Sequence, residues 1–297
     1  MSIGAARSGR PAARRLKGHN LLAPHNFQNW PRVRFLLPAL LIASLLPACE
    51  SARPASPELV AAARDSVALP VRTLDAETRM VAWFDSVLAS VNGDAEALAE
   101  LELLRLRAIE RVLTLPALEG YNPFANAAVR VEPPPGVADW VTAHEDHIEY
   151  SEPAGDWLVP AGVFWELHEK YDDTAFADEI AWAAANGGLA GECEGMPGCY
   201  VDSLLQTFLR YLEMHPAGKH VEAALDRVSE ELIGLVQLET SRPLCGDELT
   251  SEGVRPEQLA RIREVLATVP SVTTETMDAL AAAERRCGIR DKQSVSD

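Results

Sequence analysis

The chain has 297 residues, 47% of them hydrophobic, and 44 acidic against 27 basic side chains give a net charge of −17. That is enough apolar material for one large or two small cores. The charge repels phosphate backbones and anionic head groups, which excludes nucleic acid as a partner.

Residues 1–48 carry seven Arg and Lys side chains and no acid, and they end in the apolar run 35–46. A basic segment followed by an apolar one is the order of a secretory signal. The run is shorter than the roughly 20 residues a membrane-crossing helix needs. Val33 offers an alternative start, in which case residues 1–32 are never translated. Removal of the signal takes the net charge to −24 over residues 49–297.

Leu46, Pro47, Ala48 and Cys49 resemble the lipobox of bacterial lipoproteins, with Pro47 departing from the usual residue at its position. The resemblance implies that Cys49 is lipidated, becomes the new N-terminus and holds the protein on a membrane of the cell envelope. Glu50, rather than Asp, implies the outer membrane over the inner. Several acyl chains anchor stably where one holds only marginally.

Residues 49–56 read as a flexible, lipid-anchored tether. An N-terminal helical region follows at 57–115. Ser56 and Pro57 start its first helix. Met80, Trp83, Phe84, Val87, Leu88 and Val91 then fall on one face of a second helix, ended by Asn92 and Gly93. Asp94 caps a third, with a matching stripe at Leu98, Leu101, Leu104, Ala108 and Val112. The two stripes predict a helical hairpin.

The stretch 116–160 is rich in Pro and Gly, which break any helix there. Alternation at Ile148 and Tyr150 and the turn-forming tetrad 152–155 predict a β-hairpin with strands near 147–150 and 157–159. A helical region spans 161–240, with faces at Phe164, Trp165, His168 and Tyr171, at Phe176, Ile180, Ala181 and Ala184, along one helix from Val201 to Leu212, and from Val221 to Leu235. A C-terminal pair fills 241–297, with helices near 257–268 and 275–287. Mature Cys193, Cys199, Cys245 and Cys287 are even in number, as in exported disulfide-bonded proteins, and their spacing favours the pairs Cys193–Cys199 and Cys245–Cys287.

Around 208–225, Tyr211 at a helix end, Pro216, a small residue and then Ala224 and Leu225 resemble the junction between tetratricopeptide-type helical pairs of envelope lipoproteins. The expected fold is mainly α, with stacked helical hairpins in a solenoid-like array and a small β-hairpin insertion.

Candidate chemistry is sparse. His144 and His147, beside Glu145 and Asp146, form the most metal-like cluster, yet their three-residue spacing enters a strand rather than lying on a helix. His168 and Asp172 are spaced to meet one ion on a helix, but His168 shares an apolar stripe, and Asp172 and Asp173 suit caps for the next helix. His215 and His220 read as exposed residues flanking a turn. Trp140, Tyr150, Trp157 and Trp165 crowd into a short stretch and are either a small core or a binding groove. The common nucleophile, phosphate and dinucleotide motifs are absent, and no cofactor is indicated. The leading expectation is a non-enzymatic envelope lipoprotein that binds a protein partner as a scaffold or assembly factor. Alternatives are a metal-dependent or ligand-binding enzyme using residues around 144–172, and a glycan or small-ligand module.

Overall fold

The computed structural model describes residues 53–70, 73–118, 121–122, 132–152, 155–188, 193, 195–237, 244–246 and 252–289. Cys49, the signal segment, Val129, Val131 and the central pair of the 152–155 tetrad lie outside them.

The N-terminal layer follows from local rules. Ser56 caps α1 (Pro57–Ala68) by accepting from the Leu59 N–H at 3.2 Å, and Thr73 caps α2 (Leu74–Ser90). Asp94 caps α3 (Ala95–Leu113) through the Ala97 N–H at 2.8 Å. These side chains satisfy backbone donors that have no partner inside the helix. Met80, Phe84 and Val87 of α2 meet Leu101, Ala108 and Val112 of α3, and all are buried. Trp83 departs from the expected stripe and remains 36% exposed. Preceding this layer, β1 (Arg53–Pro54) pairs in parallel with β2 (Val91–Asn92) in the α2–α3 turn. Arg53 and Pro54, which the sequence assigns to a flexible segment, are thereby paired to the α2–α3 turn.

Two buried carboxylates bind this layer together. Glu77 is fully buried and bonded to Arg111 by two contacts of 2.9 Å, while Arg111 also donates to the carbonyls of Val67 and Leu69 at the end of α1. Glu100 on α3 accepts from Arg64 on α1 at 2.8 Å. Arg111 grips both oxygens of Glu77 and Arg64 donates twice to one oxygen of Glu100, which offsets the loss of water around each acid.

The Pro/Gly-rich stretch departs from expectation by holding a short helix, α4 (Val137–Ala143). Proline disrupts a helix from within, and Pro133, Pro134 and Pro135 all precede this one. Gly136, with φ of +84°, makes the entry, a backbone region that favours glycine. The β-hairpin consists of β3 (Glu149–Ser151) and β4 (Asp156–Leu158), with Tyr150 opposite Trp157.

Helical layers then continue. The helices α5 (Ala161–Lys170) and α6 (Ala177–Ala185) pair with each other, α5 rests on α3, and α6 meets α8 (Phe208–Met214). Asp172 and Asp173 do not cap α6, whose N-cap position is Phe176 without a side-chain bond. The single helix expected from Val201 to Leu212 is broken into α7 (Pro197–Gln206) and α8 at Thr207, whose hydroxyl bonds back to the Ser203 carbonyl at 2.8 Å. Such back-bonding competes with the helix ladder. Next, α9 (Val221–Gln237) packs on α8, and α10 (Pro256–Thr268) and α11 (Thr274–Arg286) close the stack against α8 and α9. The architecture is mainly α, with stacked helical pairs and one small antiparallel hairpin. Among the described residues, no helix is long and apolar enough to cross a membrane.

Disulfides join Cys193 to Cys199 across the start of α7, and Cys245 to Cys287 at the end of α11. The second spans 42 residues and ties an irregular segment to the last helix. Replacing both Cys245 and Cys287 by Ser is expected to lower unfolding free energy by about 4 kcal/mol in the chain-entropy picture, measured by urea titration; the short Cys193–Cys199 loop should contribute less.

Candidate functional site

Helix α5 faces two ways, and each face builds a distinct environment. On one, Val163, Glu166, Leu167 and Lys170 recur at helical spacing and line a cavity of about 490 Å³ shared with α2, α3 and the turn at Asp146 and His147. The floor is apolar, made by Leu88, Leu106, Val163 and Leu167. The rim is charged: Arg105 bonds Asp85 at 2.5 Å and Lys170 bonds Glu102 at 2.7 Å. Asp146 and Glu166 are exposed on the rim and form no ion pair among the described residues.

The electrostatics follow from this arrangement. Burial pushes the His147 imidazole below its ordinary range, and the positive Arg105 and neighbouring His144 add to it, so the ring is neutral at pH 7. Burial alone would depress the Lys170 ammonium, but bonding to Glu102 and Tyr171 outweighs it and leaves the group above its usual value. Tyr171 also donates to Glu102, at 2.8 Å, and burial with that bond raises its phenol. The lining combines apolar side chains with carboxylates, a histidine, Arg105 and Lys170.

A wider cleft of about 620 Å³ lies between the end of α3 and β4, with Trp157, Leu113 and Leu158 in its walls.

The other face of α5 meets α6, α8 and the turn before α9. Tyr211 is fully buried and donates to Asp178 at 2.5 Å, with burial and that carboxylate pushing its phenol far above the usual range. Asp178 also accepts from the Lys219 backbone N–H at 2.7 Å. His215 stacks on Tyr211 and its Nε2 lies 2.9 Å from Nε2 of the buried His168. His220 stacks on Trp182 with ring centroids 4.9 Å apart and bonds Glu179 at 3.0 Å. The expectation that His215 and His220 are exposed is thus corrected: both are half-buried, because aromatic rings and carboxylates of α6 and α8 close over the turn. His168 has His215 as its bonding partner, rather than sharing an ion with Asp172.

The remaining sequence candidates are spent largely on packing. The His144 Nδ1 bonds the Trp140 carbonyl at 2.7 Å while the Trp140 ring stacks on it, whereas His147 lines the cavity, so the two histidines have different partners. Trp157 donates to the Tyr121 carbonyl at 2.9 Å and meets Tyr150 edge-on. Trp165 is 5% exposed beneath the Arg210 guanidinium, 4.2 Å from its ring. No group of three or more potential metal ligands stands together among the described residues. Asp85, Glu102, Arg105, Glu166 and Lys170 were missing from the sequence candidates; the available signal was the mixed apolar and charged face of α5.

At the turn, a side chain on Gly218 would place its first carbon 2.5 Å from Asp178 Oδ1 and 2.6 Å from the Tyr211 hydroxyl. Gly218→Ala should therefore cost about 2–3 kcal/mol of stability, the range of overpacking. Gly162→Ala, in open space on α5, should be neutral or stabilising by up to about 1 kcal/mol. Urea unfolding of both variants checks the contrast.

Compared with known proteins, the chain matches no family model, no curated protein and no solved structure, so the site is read from its own geometry.

Proposed function

We propose that this is an exported, lipid-tethered helical protein that binds a partner protein at the cell envelope, without catalytic turnover, through the cavity between α2, α3 and α5. The observation carrying the reading is the combination of an apolar floor with a charged rim. That is the anatomy of a protein-binding hot spot, where one apolar side chain fills a pocket and polar groups exclude water around it. Four carboxylates against Arg105 and Lys170 leave the rim acidic, with Asp146 and Glu166 outside any described ion pair. The partner that fits is a basic protein presenting an apolar side chain next to Lys or Arg. The mature net charge of −24 favours such a partner at a distance, and association should slow as salt rises.

The lipobox-like segment ending at Cys49 supports the tether, and the tetratricopeptide-like junction supports a scaffold role, since helical repeats present extended binding surfaces. Residues 50–52 span only about 10–14 Å when extended, so an acylated Cys49 holds the domain close to the bilayer. In this reading the outer membrane is favoured over the inner.

Two experiments test the proposal. Cys49→Ser should move the protein from the membrane fraction to the soluble fraction or leave it unprocessed; mass spectrometry finding an unmodified Cys49 in a soluble mature product rejects the anchor. For the site, tagged wild type is compared with Val163→Trp, which fills the cavity, and Glu166→Lys, which reverses the rim. A specific partner captured from host membranes should lose at least about 2 kcal/mol of affinity for each variant, with melting temperatures little changed. Equal capture by all three proteins removes the cavity from the function.

A further inference from the structure

The junction between α5, α6 and α8 contains two histidine contacts of different chemistry, one to a second histidine and one to a carboxylate. In the first, Nε2 of His168 and Nε2 of His215 are 2.9 Å apart, with the rings edge to face. One hydrogen must lie between them, so one ring donates and the other accepts. His168 is 3% exposed and its Nδ1 is buried without a partner among the described residues. A hydrogen on that nitrogen would be an unsatisfied buried donor, which is costlier than a bare lone pair. His168 therefore carries its hydrogen on Nε2 and donates, and His215 accepts and carries its own on Nδ1.

A further proton has no comfortable position. On His168 Nδ1 it makes a buried cation with no acceptor. On His215 Nε2 it sets two N–H groups against each other, unless His168 shifts its hydrogen to the same buried Nδ1. A second proton places two cations in contact. Glu169 and Asp172 favour a charged His168 and Asp178 a charged His215, but burial outweighs them. From α5, Glu169 bonds Arg210 at 3.3 Å, and Asp172 makes no described bond to either ring; from α8, Arg210 adds positive charge against Trp165; from α6, Asp178 is occupied by the Tyr211 hydroxyl and the Lys219 N–H. The second contact differs. His220 lies 3.0 Å from the Glu179 carboxylate, so protonation turns a hydrogen bond into an ion pair.

We propose that the His168–His215 contact is an acid-released latch: neutral rings hold the end of α5 against the end of α8, and protonation loosens this arm, leaving only the Arg210 contacts to Glu169 and Trp165 across it, while His220–Glu179 keeps α6 joined to the α8–α9 turn. The two halves of the helical stack then hinge at the junction instead of separating. The site titrates in the direction required. Burial holds both imidazoles below the ordinary range, and for His168 the neighbouring His215 adds to it. An unfolded histidine titrates near 6.5, so the unfolded chain binds more protons just below that pH. The contribution of the latch is complete above about pH 6.5 and declines as pH falls, by up to about 100-fold in the local closing equilibrium per pH unit for two histidines. Outside the cytoplasm, a protein meets the pH of its surroundings directly.

Hydrogen-exchange mass spectrometry on the full chain, at pH 7.5 and 5.5 and corrected for intrinsic exchange rates, tests the latch. Protection within residues 165–171 and 208–215 should fall at least about tenfold at the lower pH, while residues 177–185 and 221–230 keep theirs. In His168→Phe, and separately in His215→Asn, the acid-dependent part of that loss should disappear. His147 is also held below its ordinary range by burial but is present in every protein compared, so the difference isolates the pair. Unchanged protection in the wild type, equal loss in all four segments, or an acid response that survives in a folded variant overturns the proposal. If neither variant folds, the segment pattern of the wild type decides by itself.

Discussion

The carboxylate of Asp178 decides how the second half of the helical stack meets the first. One oxygen accepts the Tyr211 hydroxyl and the other the Lys219 backbone N–H, while the Tyr211 oxygen accepts from the His220 N–H at 3.0 Å. The Tyr211 hydroxyl of α8 and two backbone N–H groups of the turn that follows it are thereby satisfied together. An acceptor with full negative charge makes such bonds shorter and stronger than neutral ones. Once the turn is pinned, His215 must lie against Tyr211 and His220 against Trp182, and α9 leaves the junction in the direction that packs it on α8.

The same economy of charge recurs at both ends of the molecule. Glu77 and Glu100 in the first layer and Glu284 in the last are buried, and each is met by an arginine from another helix: Arg111, Arg64 and Arg263. In a chain where acids outnumber bases by 44 to 27, drawing arginines into such pairs leaves the excess negative charge at the surface. The acidic rim of the cavity is one local expression of that balance. Breaking a buried pair strands a charge, which is why these contacts orient helices so firmly even where their net contribution to stability is modest.

Helix α5 couples the proposed binding cavity to the proposed latch. Val163, Glu166, Leu167 and Lys170 belong to the cavity, and Trp165 and His168 to the junction, all within two and a half turns of one rigid element. Any change that releases α5 from α8 therefore acts on the helix that forms the cavity wall. In the proposed reading, the two lie on opposite faces of one helix, so a change at the latch would be transmitted to the cavity wall.

Much of this fold is legible in the sequence because it is local. Ser56 and Asp94 cap their helices through backbone groups three residues on, the stripes of α2 and α3 follow the helical period, and the alternation around Tyr150 yields a hairpin. The proposal of export and lipidation likewise rests on the linear order of residues 1–49. Other features depend on groups far apart in the chain. Thr207 breaks a face that looks continuous in periodicity, Trp83 turns outward because α3 covers only part of α2, and the histidines at 215 and 220 are covered by side chains 30 to 50 residues earlier. The cavity draws its rim from α2, α3, α5 and the turn at 146–147, so no single stretch carries its signature. The sequence by itself determined most of the helical segments and the starts of α1 and α3, since caps and periodicity act within a few residues; only the tertiary structure decided the short α4, the break at Thr207 and which polar side chains are buried together, because those depend on how distant segments pack.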